Sequence, residues 1–265
     1  MILDKIVAHK RREIAQRKQR VPLSELTSQA RKQGDPLDLA AALQGDTVSL
    51  IAEIKRASPS KGAFAPDLQV QDTAQIYAEH GASAISVLTD ERFFSGTLTD
   101  LAAAKACLVS EQYTIPVLRK EFILDPYQIV EARAHGADAV LLIARIVSAG
   151  NLANLYAETR RWGMAALIEV HDETDIEHVI RLDAPVLGIN NRNLADFQTD
   201  LSVFGRLRAL LPPSTLAVAE SGVRSAADIA RLKAMGANAV LVGEALITSP
   251  EPAAKIRELV AGGSK

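Results

Sequence analysis

The sequence predicts an α/β fold, a (β/α)8 TIM barrel carrying an N-terminal helical extension, and three observations carry that prediction. Short apolar runs of strand type alternate with helical patterns eight times, which favours a closed parallel barrel over an open sheet. Three junctions repeat one pattern: HGASAISVL from His80, HGADAVLLI from His135 and MGANAVLVG from Met235, each a helix end, a glycine and a buried strand. Their glycines, Gly81, Gly136 and Gly236, are spaced as two and then four units of roughly 25 to 28 residues, the size of one strand, one helix and two loops. The length of 265 residues suits one such barrel with an addition.

In chain order, residues 1–46 read as the helical extension packed on the barrel and residues 47–265 as the barrel catalytic domain, one structural domain overall. Within the extension Ile2, Ile6, Val7 and Ile14 lie among lysines and arginines, and Pro22-Leu23-Ser24-Glu25-Leu26 marks a second helix start. The expectation is a packing extension with a solvated basic face; the sharper alternative is that it helps to cover the catalytic mouth. Strands are expected near Val48–Lys55, Ala84–Leu88, Pro116–Lys120, Ala139–Ile143, Ala165–Val170, Val186–Asn190, Leu216–Glu220 and Ala239–Val242.

A formal net charge of −2 and the lack of aromatic residues among the N-terminal basic ones speak against nucleic acid as a partner. No run approaches about 18 uncharged apolar residues, so no membrane span is expected. The N-terminus lacks a signal-peptide core, and the single Cys107 reads as a small buried hydrophobe, which together suggest a cytoplasmic protein. With its own start and a Gly-Gly-Ser-Lys tail the chain reads as complete in itself, and a monomer is favoured, with association to a pathway enzyme left open.

Chemistry gathers at the strand ends. In the first strand, alternation puts Leu50, Ala52 and Ile54 on one face and Glu53 and Lys55 on the other, where a charge inside a barrel is costly unless paired or functional. Lys120, Glu169, Asn190 with Arg192, and Glu220 with Ser221 stand at the ends of other strands, the end at which barrel enzymes place their sites. One such group is better read as a rim charge, but two lysines and three glutamates converging on one cavity would titrate as a coupled set. A phosphate site is expected from the loops after the last two strands, through Gly222, Gly243 and Glu244 and the backbone amides of a short helix, with Ser58 and Ser60 as added hydroxyl donors. Phe64, Phe94, Phe122, Leu118, Leu141 and Leu194 are candidates for an apolar wall, and Ala57–Pro66 for a cover over the mouth. The histidines show no metal-ligand spacing, so no metal is expected. His80 and His135 suit helix capping, and His171 suits loop packing although it could reach the mouth.

Taken together, IAEIKRASPSKG, LRKEFI, ALIEVH, GINNRNL, AESGV and LVGEAL resemble the indole-3-glycerol phosphate synthase family, from before the first strand to the last helix. The departures are Glu121 in place of an aspartate, Ser95 where glycine is usual, and Ala245 where a serine often sits. The resemblance implies ring closure of 1-(2-carboxyphenylamino)-1-deoxyribulose 5-phosphate, a small phosphosugar substrate, with loss of CO2 and water and no cofactor. It further implies Lys120 as general acid, Lys55 near the substrate carboxylate and phosphate, Glu169 as a stabiliser of developing positive charge and Glu53 as base or positioning carboxylate. Asn190, Arg192, Glu220 and Ser221 would orient the substrate. The division of labour between the two lysines, and between Glu53 and Glu169, stays open. So do two rivals: another phosphosugar enzyme on this fold, such as an isomerase or a Schiff-base aldolase, and a noncatalytic phosphosugar-binding barrel.

Overall fold

The computed structural model describes residues 2–59, 61–193 and 197–264. Eight parallel strands close a barrel: β1 Ser49–Ile54, β2 Ala84–Leu88, β3 Val117–Lys120, β4 Ala139–Ile143, β5 Ala165–Val170, β6 Val186–Asn190, β7 Leu216–Glu220 and β8 Ala239–Val242. Each pairs with its successor, and β8 returns to β1 with Ala239 opposite Ser49 and Val242 opposite Ala52. Parallel neighbours need a crossover, and the helical segments between strands supply it. The expected strands are all present with bounds shifted by one residue at most. β3 begins at Val117 because Pro116 has no N–H to give the ladder, although its carbonyl still accepts from Ile85 N at 3.0 Å.

The period of two sorts side chains into two cores. Leu50, Ala52 and Ile54 of β1 join the outer core under the helices, whereas Ile51 joins the barrel interior with Leu118, Leu141, Leu167, Val218 and Leu241. Glu53 and Lys55 continue the inward set toward the strand ends.

Three helices precede β1: α1 Ile2–Arg20, α2 Leu23–Ala30 and α3 Leu39–Leu43. The third is a finding beyond the expected pair. Its start is fixed by Asp38, whose carboxylate accepts the amides of Ala40 at 2.8 Å and Ala41 at 3.3 Å. Its fully buried Leu39 and Leu43 pack with Ala84, Ala139, Val186 and Ala239 at the strand starts, plugging the end of the barrel opposite the mouth. α1 and α2 lie on helix Pro126–Ala134 through Ile14, Leu26, Ala30, Tyr127 and Val130.

The expected solvated basic face of α1 is corrected at two positions. Lys10 is buried, its Nζ 2.9 Å from Asp90, 3.0 Å from Glu121 and 3.0 Å from Glu13. Arg17 reaches Glu131 at 3.2 Å. Burial of an ammonium is costly unless carboxylates surround it, and that demand fixes α1 against the barrel. The N-terminal turns carry Ile2, Leu3 and Ile6 to the cavity at the mouth, as the sharper alternative held.

The final helix, Pro252–Ser264, closes the seam, where Val48 N donates to Gly263 O at 3.1 Å just before β1 begins. Gly262 and Gly263 are buried, and a side chain at Gly263 would run into the Val48 carbonyl. Cys107 is half-buried rather than buried, since its helix turns it toward Gln71 at the protein's edge. His80 and His135 sit at helix C-termini, their Nδ1 atoms 2.9 Å from Ile76 O and 2.8 Å from Glu131 O. Among the described residues no helix is long and apolar enough to cross a membrane.

Candidate active site

One cavity of about 620 Å³ opens at the C-terminal ends of the strands. Glu53, Lys55, Ser58, Lys120, Glu169, Asn190, Arg192, Glu220, Ser221, Gly222, Gly243 and Glu244 all line it, so the predicted residues meet at one place. Register explains the convergence: Leu88 faces Lys120 across β2 and β3, Ile143 faces Glu169 across β4 and β5, and Asn190 faces Glu220 across β6 and β7.

At the centre Lys120 Nζ lies 3.1 Å from Glu169 Oε2 and in closer contact with Glu220 Oε2. Asn190 Nδ2 donates to Glu169 Oε1 at 3.1 Å, and Asn190 Oδ1 accepts from Arg192 N at 3.0 Å. Glu220 can reach the lysine because Gly188, in β6, has no side chain: a Cβ there would collide with Glu220 Oε1. On the other flank Lys55 Nζ pairs with Glu53 Oε1 at 2.8 Å, and a Cβ on Gly243 would collide with that same oxygen.

Burial works against ionising both central glutamates. It is the largest influence on each, but Lys120, His171 and Asn190 outweigh it at Glu169, which is held well below the usual carboxylate range. At Glu220 burial and repulsion from Glu169 prevail over Lys120 and push the carboxyl up to about 8. Burial opposes the Lys120 cation too, yet Glu220, Glu169 and Glu53 raise it above the ordinary lysine value. Around neutral pH the trio therefore holds an ammonium, a carboxylate and a carboxyl that exchanges its proton near the working range.

At the rim Ser221 and Gly222 turn through positive φ, 65° and 87°, below the loop after β7. Asn191 holds that turn, its Nδ2 donating to Glu220 O at 3.0 Å and Ser221 O at 3.2 Å. Gly243 and Glu244 start the short helix after β8, with Lys55 and Arg192 near enough for their charges to lower the Glu244 carboxyl, behind Lys61 in effect. The loop after β1 forms a short antiparallel pair, Ala57–Ser58 with Gly62–Ala63, and crosses to β8 through Lys61 Nζ on Glu244 Oε1 at 2.6 Å. Arg56 roots this loop by a two-pronged pair with Asp100 at 2.7 and 2.9 Å.

The apolar wall is partly as expected. Phe94 and Phe122, ring centres 6.0 Å apart, line the cavity with Leu141. Leu118 does not, because alternation sets it one layer deeper than Lys120, in the barrel interior. Phe64 does not either; it sits in the loop after β1, where its N–H donates to Arg56 O at 3.0 Å. Ser60 and Leu194 lie outside the described residues. Ser95 occupies a left-handed turn at φ 54°, the physical reason a glycine suits that position. Sequence reasoning missed Leu3, Leu88, Gly188 and Ile143, and reached Ile2 and Ile6 only through the alternative that the extension covers the mouth; of the four, only Gly188, a glycine inside an apolar strand, offered a local signal.

Comparison with known proteins agrees with this geometry. Residues 3–259 match the family model described as indole-3-glycerol phosphate synthase. The chain is 46% identical over 261 residues to an indole-3-glycerol phosphate synthase of Dehalococcoides mccartyi, covering 98% of this chain and 100% of that one. It is 45% identical to the enzyme of that name from Roseiflexus sp., covering 99% of each. Among solved structures, thiamine phosphate pyrophosphorylase from Pyrococcus furiosus superposes with a TM-score of 0.62 at 13% identity, over 86% of this chain and 98% of that one, a likeness of fold alone.

Proposed function

The chain belongs to the indole-3-glycerol phosphate synthase family, decarboxylating lyases of tryptophan biosynthesis, and from that premise we propose how the residues at the mouth divide the work. The substrate's anthranilate ring rests on the wall of Phe94, Phe122 and Leu141. Its phosphate lies in the corner of Lys55, Arg192, Ser221, Gly222, Gly243 and Glu244, where backbone can approach an anion closely.

Lys120 is the general acid for ring closure. The ring carbon that bears the carboxylate attacks the ketone carbon, a C–C bond forms, and the carbonyl oxygen takes a proton from Lys120 Nζ. Glu169 faces the positive charge that develops on the ring and nitrogen. CO2 then leaves with its bonding electrons returned to the ring. Lys55 protonates the departing hydroxyl, which is lost as water, and Glu53 beside it accepts the proton released from the neighbouring carbon. Glu220, with its proton exchanging near neutral pH, resupplies Lys120. The observation that carries this reading is the seating of Lys120 Nζ between two buried carboxylates on the cavity wall. The separate Lys55–Glu53 pair supports two acid-base stations rather than one.

The test is an assay of the purified chain, with chelator present, on 1-(2-carboxyphenylamino)-1-deoxyribulose 5-phosphate, following indole absorbance and released CO2. Equal amounts of indole product and CO2 are expected. Saturable binding without turnover would overturn the reading in favour of a binding barrel, and a borohydride-trapped adduct at Lys120 or Lys55 in favour of an aldolase.

A further inference from the structure

Glu169 divides its two oxygens: Oε2 faces Lys120 at 3.1 Å, while Oε1 accepts from Asn190 at 3.1 Å. A third group shares Oε1. His171, one residue past the end of β5 and 4% exposed, brings Nε2 to 3.1 Å from that oxygen. Its Nδ1 lies 3.6 Å from Asp175 Oδ2, and both are contacts of charge rather than hydrogen bonds. Asp175 is itself fixed, because Oδ2 accepts His171 N at 2.8 Å and the Arg145 guanidinium at 2.9 and 3.1 Å. Arg145 also pairs with Asp172, which caps the helix Glu173–Val179. The ring is thus faced by Glu169 from β5, by Asp175 from that helix and by Arg145 from the turn after β4. It is not among the residues lining the cavity.

We propose that His171 is the positioning residue for Glu169: wedged between two carboxylates, it holds Oε1 so that Oε2 stays turned toward Lys120 and the reacting ring. A carboxylate at the end of a strand would otherwise rotate, and Asn190 alone fixes one oxygen from one side. The histidine is a cation at neutral pH, since Asp175 and Glu169 outweigh its burial and push it up to about 9. Its charge helps to keep Glu169 ionised. A carboxylate aligned in advance costs no reorganisation when positive charge appears on the ring. The inference rests on the role given above to Glu169.

The test uses the full chain with His171→Ala, His171→Gln and His171→Asn, each alone and with Glu169→Gln, reading kcat, KM, the pH profile and the urea midpoint. His171→Ala should lower kcat by about tenfold or more while KM moves less than about threefold. Glutamine, whose amide reaches the Nε2 position, should restore most of that loss at any midpoint; asparagine, which reaches only toward Asp175, should not. In the parent kcat should fall in two stages, with Glu220 near pH 8 and with His171 near pH 9, and only the second stage should be absent from His171→Gln. In the Glu169→Gln background the three changes should add no further loss. Unchanged kcat in all three variants, rescue by asparagine as full as by glutamine, or an undiminished loss in the Glu169→Gln background would overturn the proposal and leave Glu169's role standing. Normal turnover by Glu169→Gln alone would overturn that role and the proposal with it.

Discussion

Lys10, buried, and Lys120, half-buried on the cavity wall, are both lysines held among carboxylates, yet the two clusters finish differently. Around Lys10, Glu121 Oε1 takes Lys10 and the Phe122 amide, Oε2 takes the Thr89 hydroxyl at 2.9 Å, Arg119 stands 3.6 Å away as a second cation, and Asp90 Oδ2 meets Lys10 at 2.9 Å as a contact of charge rather than a hydrogen bond. Glu121 is consequently depressed, Lys10 and Arg119 overcoming its burial. Around Lys120 the second cation, His171, reaches only Glu169 of the two glutamates, so Glu220 has only the lysine it shares with Glu169, and its Oε1 is buried with no hydrogen-bond partner. Burial forces that carboxyl upward instead. One arrangement fastens a helix to a barrel; the other, with its Glu220 carboxyl pushed up, holds an exchangeable proton on the cavity wall.

The comparison can be broken most sharply at Lys120. Replacement by alanine should reduce kcat by about 10²–10⁴ while the indole product still binds within roughly tenfold of the parent, as steady-state kinetics and equilibrium titration will read. Near-normal turnover would remove Lys120 from the acid's role. Lys10→Met should act on stability instead, lowering the free energy of urea unfolding by about 3–5 kcal/mol because Asp90 and Glu121 are left buried without their cation. A loss under about 1 kcal/mol would mean that α1 is held by its apolar contacts. Gly188→Ala should displace Glu220 from the lysine, lowering kcat roughly tenfold and stability by about 1–3 kcal/mol. An unaffected kcat would detach the Glu220 contact from catalysis.

The smallest effect has opposite signs in the two clusters. Glu121 has a lowered folded pKa, so its stabilising contribution is present above its unfolded value near ~4.3 and is lost as pH falls through the lower folded value. Glu220 has a raised one, so its relative contribution is present at acid pH and is lost as pH rises from ~4.3 toward about 8. Urea midpoints should show Glu220→Gln increasingly more stable than the parent from pH 5 to pH 8, by on the order of 1 kcal/mol. Glu121→Gln should be most destabilising at neutral pH and converge on the parent below about pH 4. The same sign for both would remove the contrast.

The barrel was legible because its signals are local. Apolar alternation, a glycine at the ends of several helices and polar residues closing the strands all fall within a few positions, so the strands, Glu53, Lys55 and Lys120 could be placed without knowing their partners. What stayed hidden depends on distance. Lys10 and Glu121 lie more than a hundred residues apart, and on paper Lys10 is one more basic residue of an exposed-looking helix. α3 is five residues long, too short for a period to declare itself, and only Asp38 marks its start. His171 follows the last residue of β5, where strand alternation no longer dictates direction; it turns inward because Asp175 holds its amide.

The contact between Val48 N and Gly263 O joins residues from opposite ends of the chain. During synthesis the amide ahead of β1 therefore emerges well before its acceptor and waits until Gly263 has been made. Earlier strands can pair side by side as they appear, but the ring remains an open sheet with two exposed edges until β8, Ala239–Val242, reaches β1. Exposure to edge-to-edge association is thus set by the time taken to reach β8, and the helix Pro252–Ser264 that follows fastens the closed seam.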